Sequence, residues 1–153
     1  MGALASGGAR VLNDEVIEAL RIPRAAIEEA ARRESSELER RERLYRGESP
    51  QTEVQGRVVI LVDDGLATGS TMRAAVAALK SRSPARIVLA VPVAAPEICA
   101  RLRQEVDEAV CLLEPQFFNA VGAWYEDFSQ TSDDEVRRLL AAAGSAHAEV
   151  QRS

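Results

Sequence analysis

VVILVDDGLATGST, residues Val58 to Thr71, is the stretch whose reading decides the fold. Five apolar residues, Val58 to Val62, read as a buried strand, and the strand ends in two adjacent acids, Asp63 and Asp64. A turn rich in glycine and hydroxyl groups follows, Gly65 to Thr71, and then a helix-forming run, Met72 to Lys80. Carboxylates at the mouth of such a turn can hold hydroxyls or a metal. The turn's amides and the N-terminus of the next helix can hold a phosphate. Together these groups suit a sugar phosphate.

Working outward, strands and helices alternate from Arg57 onward. Ser70 to Ser81 reads as a helix, Arg86 to Val91 as a strand, Pro96 to Glu105 as a helix and Glu108 to Leu113 as a third strand. Short apolar strands alternating with helices predict an α/β fold, a parallel sheet with flanking helices. Ligands bind such sheets at the carboxyl ends of the strands, where Asp63 and Asp64 fall. Three strands make a thin sheet, so a further strand, a covered edge or more chain is expected. Upstream, Gly2 to Arg10 reads as a loop. Asn13 is placed to cap a helix from Asp14 to Leu20, and Pro23 suits the first turn of a long charged helix, Arg24 to Arg46, stopped by Gly47. Arg40-Arg41-Glu42-Arg43 reads as a solvated face of that helix, and Glu48 to Gln55 as a polar connector containing Pro50. Downstream, Phe117 to Phe128 is irregular and aromatic-rich. Ser132 and Glu135 form a capping box for a last helix, Asp133 to Ala143, which Gly144 is expected to end.

The chain's 153 residues fit one domain, and 46% hydrophobic content suffices for a core. Aromatics are only 4%, so that core is expected to be Ala, Val and Leu. A net charge of −5 argues against nucleic-acid binding through a broad basic face. No apolar run approaches the ~20 residues of a membrane helix. The opening MGALASGGAR lacks a basic start followed by an apolar stretch, so a cytoplasmic location is expected. Cys99 and Cys111 lie in apolar stretches at a spacing that suggests neither pairing nor metal, and reduced buried thiols are expected. Two other readings of the motif fail. A response-regulator receiver needs an Asp after a later strand and a Lys later still. Here Pro92-Val93-Ala94-Ala95 follows Arg86 to Val91, and the sole Lys is Lys80. The turn itself has no Lys, which excludes a nucleoside-triphosphate P-loop.

Val59-Ile60-Leu61-Val62-Asp63-Asp64-Gly65-Leu66-Ala67-Thr68-Gly69-Ser70-Thr71 resembles the signature of the type I phosphoribosyltransferases. Gly65 departs from it, standing where an aliphatic residue or Ser is common. The segments ASGGARVLN, ELERRERLYRG and WYEDFSQTSDDEV resemble a bacterial subgroup of uncharacterised phosphoribosyltransferase-like proteins, and the likeness covers residues 3 to 140. The resemblance implies that Asp63 and Asp64 bind the ribose hydroxyls of phosphoribosyl pyrophosphate (PRPP) and stabilise the transition state electrostatically. Mg²⁺ would arrive with PRPP, with no protein ligand assigned to it directly. Ala67, Thr68, Gly69, Ser70 and Thr71 would wrap the 5′-phosphate. The reaction would be transfer of phosphoribosyl to a nitrogenous acceptor, such as a nucleobase, with release of pyrophosphate. Ala67 stands where some purine-salvage members carry Asp, and adenine-type members carry Ala there.

In the implied domain plan, residues 1–143 form one domain. Residues 1–56 are a flexible loop and helical region, 57–113 the α/β core, 114–143 a hood-like segment with the last helix, and 144–153 a disordered tail. Trp124 and Tyr125 fall in the hood, where an aromatic ring either stacks on a base or packs the last helix. Phe117 and Phe118 are expected in the core, and Glu126 and Asp127 at an acceptor or on the rim. Val93 to Ala95 are expected to line the site. Arg73 either assists the phosphate or faces solvent. Gly7-Gly8 either belongs to a lid, with Arg10 reaching a phosphate, or to a terminus. His147 is not a catalytic candidate. The family's earlier strands and pyrophosphate loop are missing from the sequence, so the expectation is an N-terminally incomplete fold: Met1 inside a longer reading frame, or a natural truncation. A PRPP- or nucleotide-binding regulatory module and an inactive remnant are the alternative functions. A homodimer would cover the sheet edges.

Overall fold

The computed structural model describes residues 2–5, 10–12, 14–46 and 52–150. Two short strands open it, β1 (Gly2–Leu4) and β2 (Arg10–Leu12), paired antiparallel with Ala3 opposite Val11. The expected opening loop is therefore an antiparallel ribbon, which lies against the helix that follows the motif. Helices α1 (Asp14–Ala19) and α2 (Arg24–Arg46) come next. Then β3 (Val58–Val62), α3 (Ser70–Lys80), β4 (Arg86–Val93), α4 (Pro96–Leu102) and β5 (Glu108–Leu113) alternate, before a 3₁₀ turn at Val121–Trp124 and the last helix, α5 (Asp133–Val150). Gly7, Gly8, Asn13, Gly47, Pro50 and the side chain of His147 lie outside the described residues.

The core sheet is parallel in the order β3-β4-β5, with Leu61 beside Leu89 and Leu89 beside Ala109. Strand side chains alternate between faces, and the described residues cover only one face. On it, Ile87, Leu89, Val91 and Val93 of the central strand are buried, with Met72 and Val76 from α3 and Cys99 and Leu102 from α4. Fully burying each such chain contributes about 1.5–3 kcal/mol. Among the described residues, the opposite face is largely exposed. Val58, Ile60 and Val62 are each more than 60% exposed, and Leu112 is 73% exposed. The expected buried strand is thus half-covered, because an apolar run does not reveal whether both sides of a sheet have neighbours.

A disulfide joins Cys99 to Cys111, with their Cα atoms 6.7 Å apart. The reduced thiols expected from the spacing are overturned by the turn after α4. That turn folds the chain back so that β5 runs past the helix, and the two sulfurs, twelve positions apart, meet in the core. Phe117 is also not a core residue, at 87% exposed, and Phe118 is half-buried. Helix α5 begins as expected, with the Glu135 N–H donating to Ser132 Oγ (3.3 Å). It does not stop at Gly144 but runs to Val150, in place of the expected tail. One glycine costs a helix only about 1 kcal/mol.

Helix α2 carries its charges on a solvated face, as its composition predicts. Arg40 and Arg41 both bond Glu37, and these hydrogen bonds, Arg40's foremost, pull its carboxyl down to about 2. The same helix docks on α5, where the Tyr45 hydroxyl donates to Asp133 Oδ1 (2.6 Å). Among the described residues, no helix is long and apolar enough to cross a membrane.

Candidate functional site

Asp63 and Asp64 stand where β3 leaves the sheet. Asp63 is half-buried and Asp64 exposed, and the Asp64 N–H donates to Asp63 Oδ1 (2.9 Å). Burial pushes the Asp63 carboxyl above its usual range. The hydrogen bond from Asp64 opposes that rise, and the neighbouring carboxylate's charge adds to it.

The turn that follows is fixed from beneath. The Leu66 N–H donates to the Val93 carbonyl and the Ala95 N–H to the Leu66 carbonyl, each at 3.0 Å. Leu66 itself is 2% exposed and anchors the turn in the core. Val93 to Ala95 are consequently buried under the loop, and are not the lining expected of them. Gly69 then adopts φ 68°, a left-handed conformation that suits glycine, and α3 starts at Ser70. Gly69 has no side chain to cap the helix, so the first-turn amides point toward any anion placed there. Thr68 folds over this entrance: its hydroxyl donates to Ser70 Oγ (3.3 Å), and its Oγ1 accepts the Ser70 N–H (3.4 Å).

Asp63, residues 65–72 and Val121 line one cavity of about 180 Å³. The cavity brings Asp63 together with all five expected loop residues, Ala67, Thr68, Gly69, Ser70 and Thr71. Its size suits a phosphate and part of a sugar, short of the ~300–1,000 Å³ of a full small-molecule site.

Other candidates sit elsewhere. Arg73 neither touches the cavity nor faces solvent freely, since its Nε donates to Glu105 Oε1 (2.8 Å) across the turn after α4. Tyr125 donates its hydroxyl to the Asp64 carbonyl (2.6 Å) and packs on Phe128, with ring centroids 5.2 Å apart. Trp124 is 42% exposed beside it. Asp127 accepts the Ser129 N–H (2.8 Å), and that bond lowers its carboxyl below the usual range. Arg10 is exposed on β2. Among the described residues, the one cluster of three or more potential metal-ligating side chains is Cys99, Cys111 and Glu114. Its two sulfurs are bonded to each other, and both Glu114 oxygens bond Arg103.

Gly65, Leu66 and Met72 line the cavity beside the expected loop residues, and Val121 is the lining residue from outside the motif that sequence reasoning missed. The visible signal was Gly65, the departure from the motif. A Cβ at Gly65 would lie 2.7 Å from Val121 Cγ1 and 3.0 Å from Val93 Cγ1. Gly65 is therefore where the segment after β5 closes onto the motif. Gly65→Ala is expected to cost about 1–3 kcal/mol by overpacking. Adding Val121→Ala is expected to restore part of it, since the contact with Val93 remains, as read from denaturant midpoints of the single and double variants.

A parallel sheet whose first strand ends in an acid pair, followed by a glycine- and hydroxyl-rich turn that opens a helix, defines the class as an α/β domain with its candidate site at the carboxyl end of that strand. The chain belongs to the phosphoribosyl transferase domain family, whose profile matches residues 3–127, and its fold is the type I phosphoribosyltransferase-like fold. Two Mycobacterium tuberculosis proteins, from strains CDC 1551 and H37Rv, are each 41% identical to it over 142 residues, 93% of this chain. Each bears the name "Putative phosphoribosyl transferase". The crystal structure of TT1426 from Thermus thermophilus is 40% identical, with a TM-score of 0.70 over 90% of this chain. The chain spans 32% of the length of the mycobacterial relatives and 64% of the solved one.

Proposed function

We propose that this chain binds PRPP and forms the core of an enzyme that transfers its phosphoribosyl group to a nitrogenous acceptor, releasing pyrophosphate. The observation that carries the reading is a single cavity shared by Asp63 and the amide-rich turn up to Met72. The 5′-phosphate sits on the turn and the first amides of α3. Asp63 and Asp64 accept hydrogen bonds from the ribose hydroxyls, and their charge opposes the positive charge that develops on the sugar as the bond to pyrophosphate breaks. Ala67 offers the acceptor only a methyl group, so an acceptor recognised by an acid at that position is disfavoured.

The donor set fits Mg²⁺, since the two carboxylates are hard oxygen ligands. No third acid joins them in a cluster among the described residues, so the ion would draw its other oxygens from PRPP and water. When bound, it would neutralise the departing pyrophosphate.

A thermal melt tests the reading. PRPP with Mg²⁺ at about a hundred times its dissociation constant adds about 2.7 kcal/mol, and so raises the midpoint by about 5–10 °C. No rise would remove the proposal. A rise without pyrophosphate release across a panel of nucleobases would make the chain a binding module instead.

A further inference from the structure

Asp64's main-chain carbonyl receives a bond from far along the sequence. The Tyr125 hydroxyl donates to it at 2.6 Å, across 61 residues. The tyrosine is itself held in place. Its ring packs on Phe128 at 40°, and its N–H donates to the Gly122 carbonyl (3.3 Å). Phe128 in turn fills the space above Gly122, where a Cβ would lie 2.7 Å from the ring. Val121, at the start of the same segment, presses on Gly65, the residue after Asp64. Two contacts from one preformed turn thus meet the backbone on the two sides of the Asp64–Gly65 peptide.

We propose that Tyr125 is a positioning residue, whose hydroxyl fixes the Asp64–Gly65 peptide and so aims the acid pair at the sugar. The inference rests on the PRPP reading of the site above. It separates Tyr125 from Trp124, the other ring placed in the hood. A hydroxyl committed to the main chain holds its ring against Phe128, whereas Trp124 makes no such bond among the described residues. The physical logic is preorganisation. Asp64 is exposed just beyond β3, an edge strand among the described residues, and ordering its backbone before the ligand arrives removes that cost from binding.

Tyr125→Phe in the full 153-residue chain is the test. The ring and its packing on Phe128 survive, so the melting midpoint without ligand should stay close to that of the unaltered protein. The dissociation constant for PRPP with Mg²⁺, measured by calorimetry, should rise about three- to tenfold, the worth of one hydrogen bond. The ¹⁵N resonance of the Gly65 amide, whose peptide loses the bond to its carbonyl, should move in the unliganded variant. An unmoved Gly65 resonance overturns the inference, and so does a moved resonance with unchanged affinity. Both leave the PRPP reading intact, because the unaltered protein still binds. An unaltered protein that does not bind PRPP overturns that reading, and the inference with it.

Discussion

Asp63→Asn together with Asp64→Asn is expected to abolish PRPP binding while leaving the fold as stable as before, or more so. The two halves of this result have separate causes. A hydrogen bond to a charged group contributes about 1.5–3 kcal/mol, and two acids are lost, so the dissociation constant should rise about a hundredfold or more. The stability half follows from Asp63. Burial raises its carboxyl's pKa in the folded protein, so the ionised form is destabilising there relative to the unfolded chain. The penalty is absent below the unfolded value, about 3.9, and grows as pH rises through the folded value. At neutral pH it is fully present, and asparagine removes it. The double variant should therefore melt at or above the unaltered protein at about pH 7, and the Asp63 part of that gain should vanish in acid. Calorimetry with PRPP and melts at the two pH values read both effects. A variant that unfolds at neutral pH would make the acids structural, and one that still binds would move the sugar elsewhere.

Gly69→Ala should have the opposite signature, with fold and ligand suffering together. At φ 68° an L side chain costs about 1–2 kcal/mol. Its Cβ would also lie 2.7 Å from Ile98 Cγ2 on α4. Overpacking adds about 1–3 kcal/mol, so a loss of about 2–5 kcal/mol and a fall of about 5–15 °C in the melting midpoint are expected. Phosphate-bearing ligands should bind more weakly, because the turn's amides are displaced from their cradle. Pairing the change with Ile98→Ala relieves the contact but not the backbone, so the double variant should recover only part of the loss. An unchanged midpoint in the single variant would mean that the turn has another conformation within reach.

The α/β core was legible because its signals are local. Five apolar residues, two acids, a glycine turn and a helix are contiguous, and β4 and β5 repeat the strand signal at helix-length intervals. The loop half of the cavity was legible for the same reason. What stayed hidden depends on pairs that only folding brings together. The Tyr125 hydroxyl and the Asp64 carbonyl are 61 residues apart, and Arg73 finds Glu105 across 32. The Cys99–Cys111 bridge needs β5 to run back past α4, which no spacing rule predicts. The ribbon was missed because GAL and RVL are too short to show alternation. Phe117, expected in the core, falls on a connection that leaves it exposed. Gly65 shows the intermediate case, where the unusual residue is visible in the sequence and its reason, Val121, is not.

The sheet is lopsided, and that bears on how the chain behaves in a tube as much as on its chemistry. A wall of Val58, Ile60, Val62 and Leu112 meets bulk water directly. Contiguous greasy surface of this kind makes a molecule sticky toward its own kind. The surplus of five negative charges supplies a repulsion that added salt will screen. Colloidal stability should accordingly worsen as ionic strength rises, and a dilute, low-salt buffer is the setting in which this wall stays quiet.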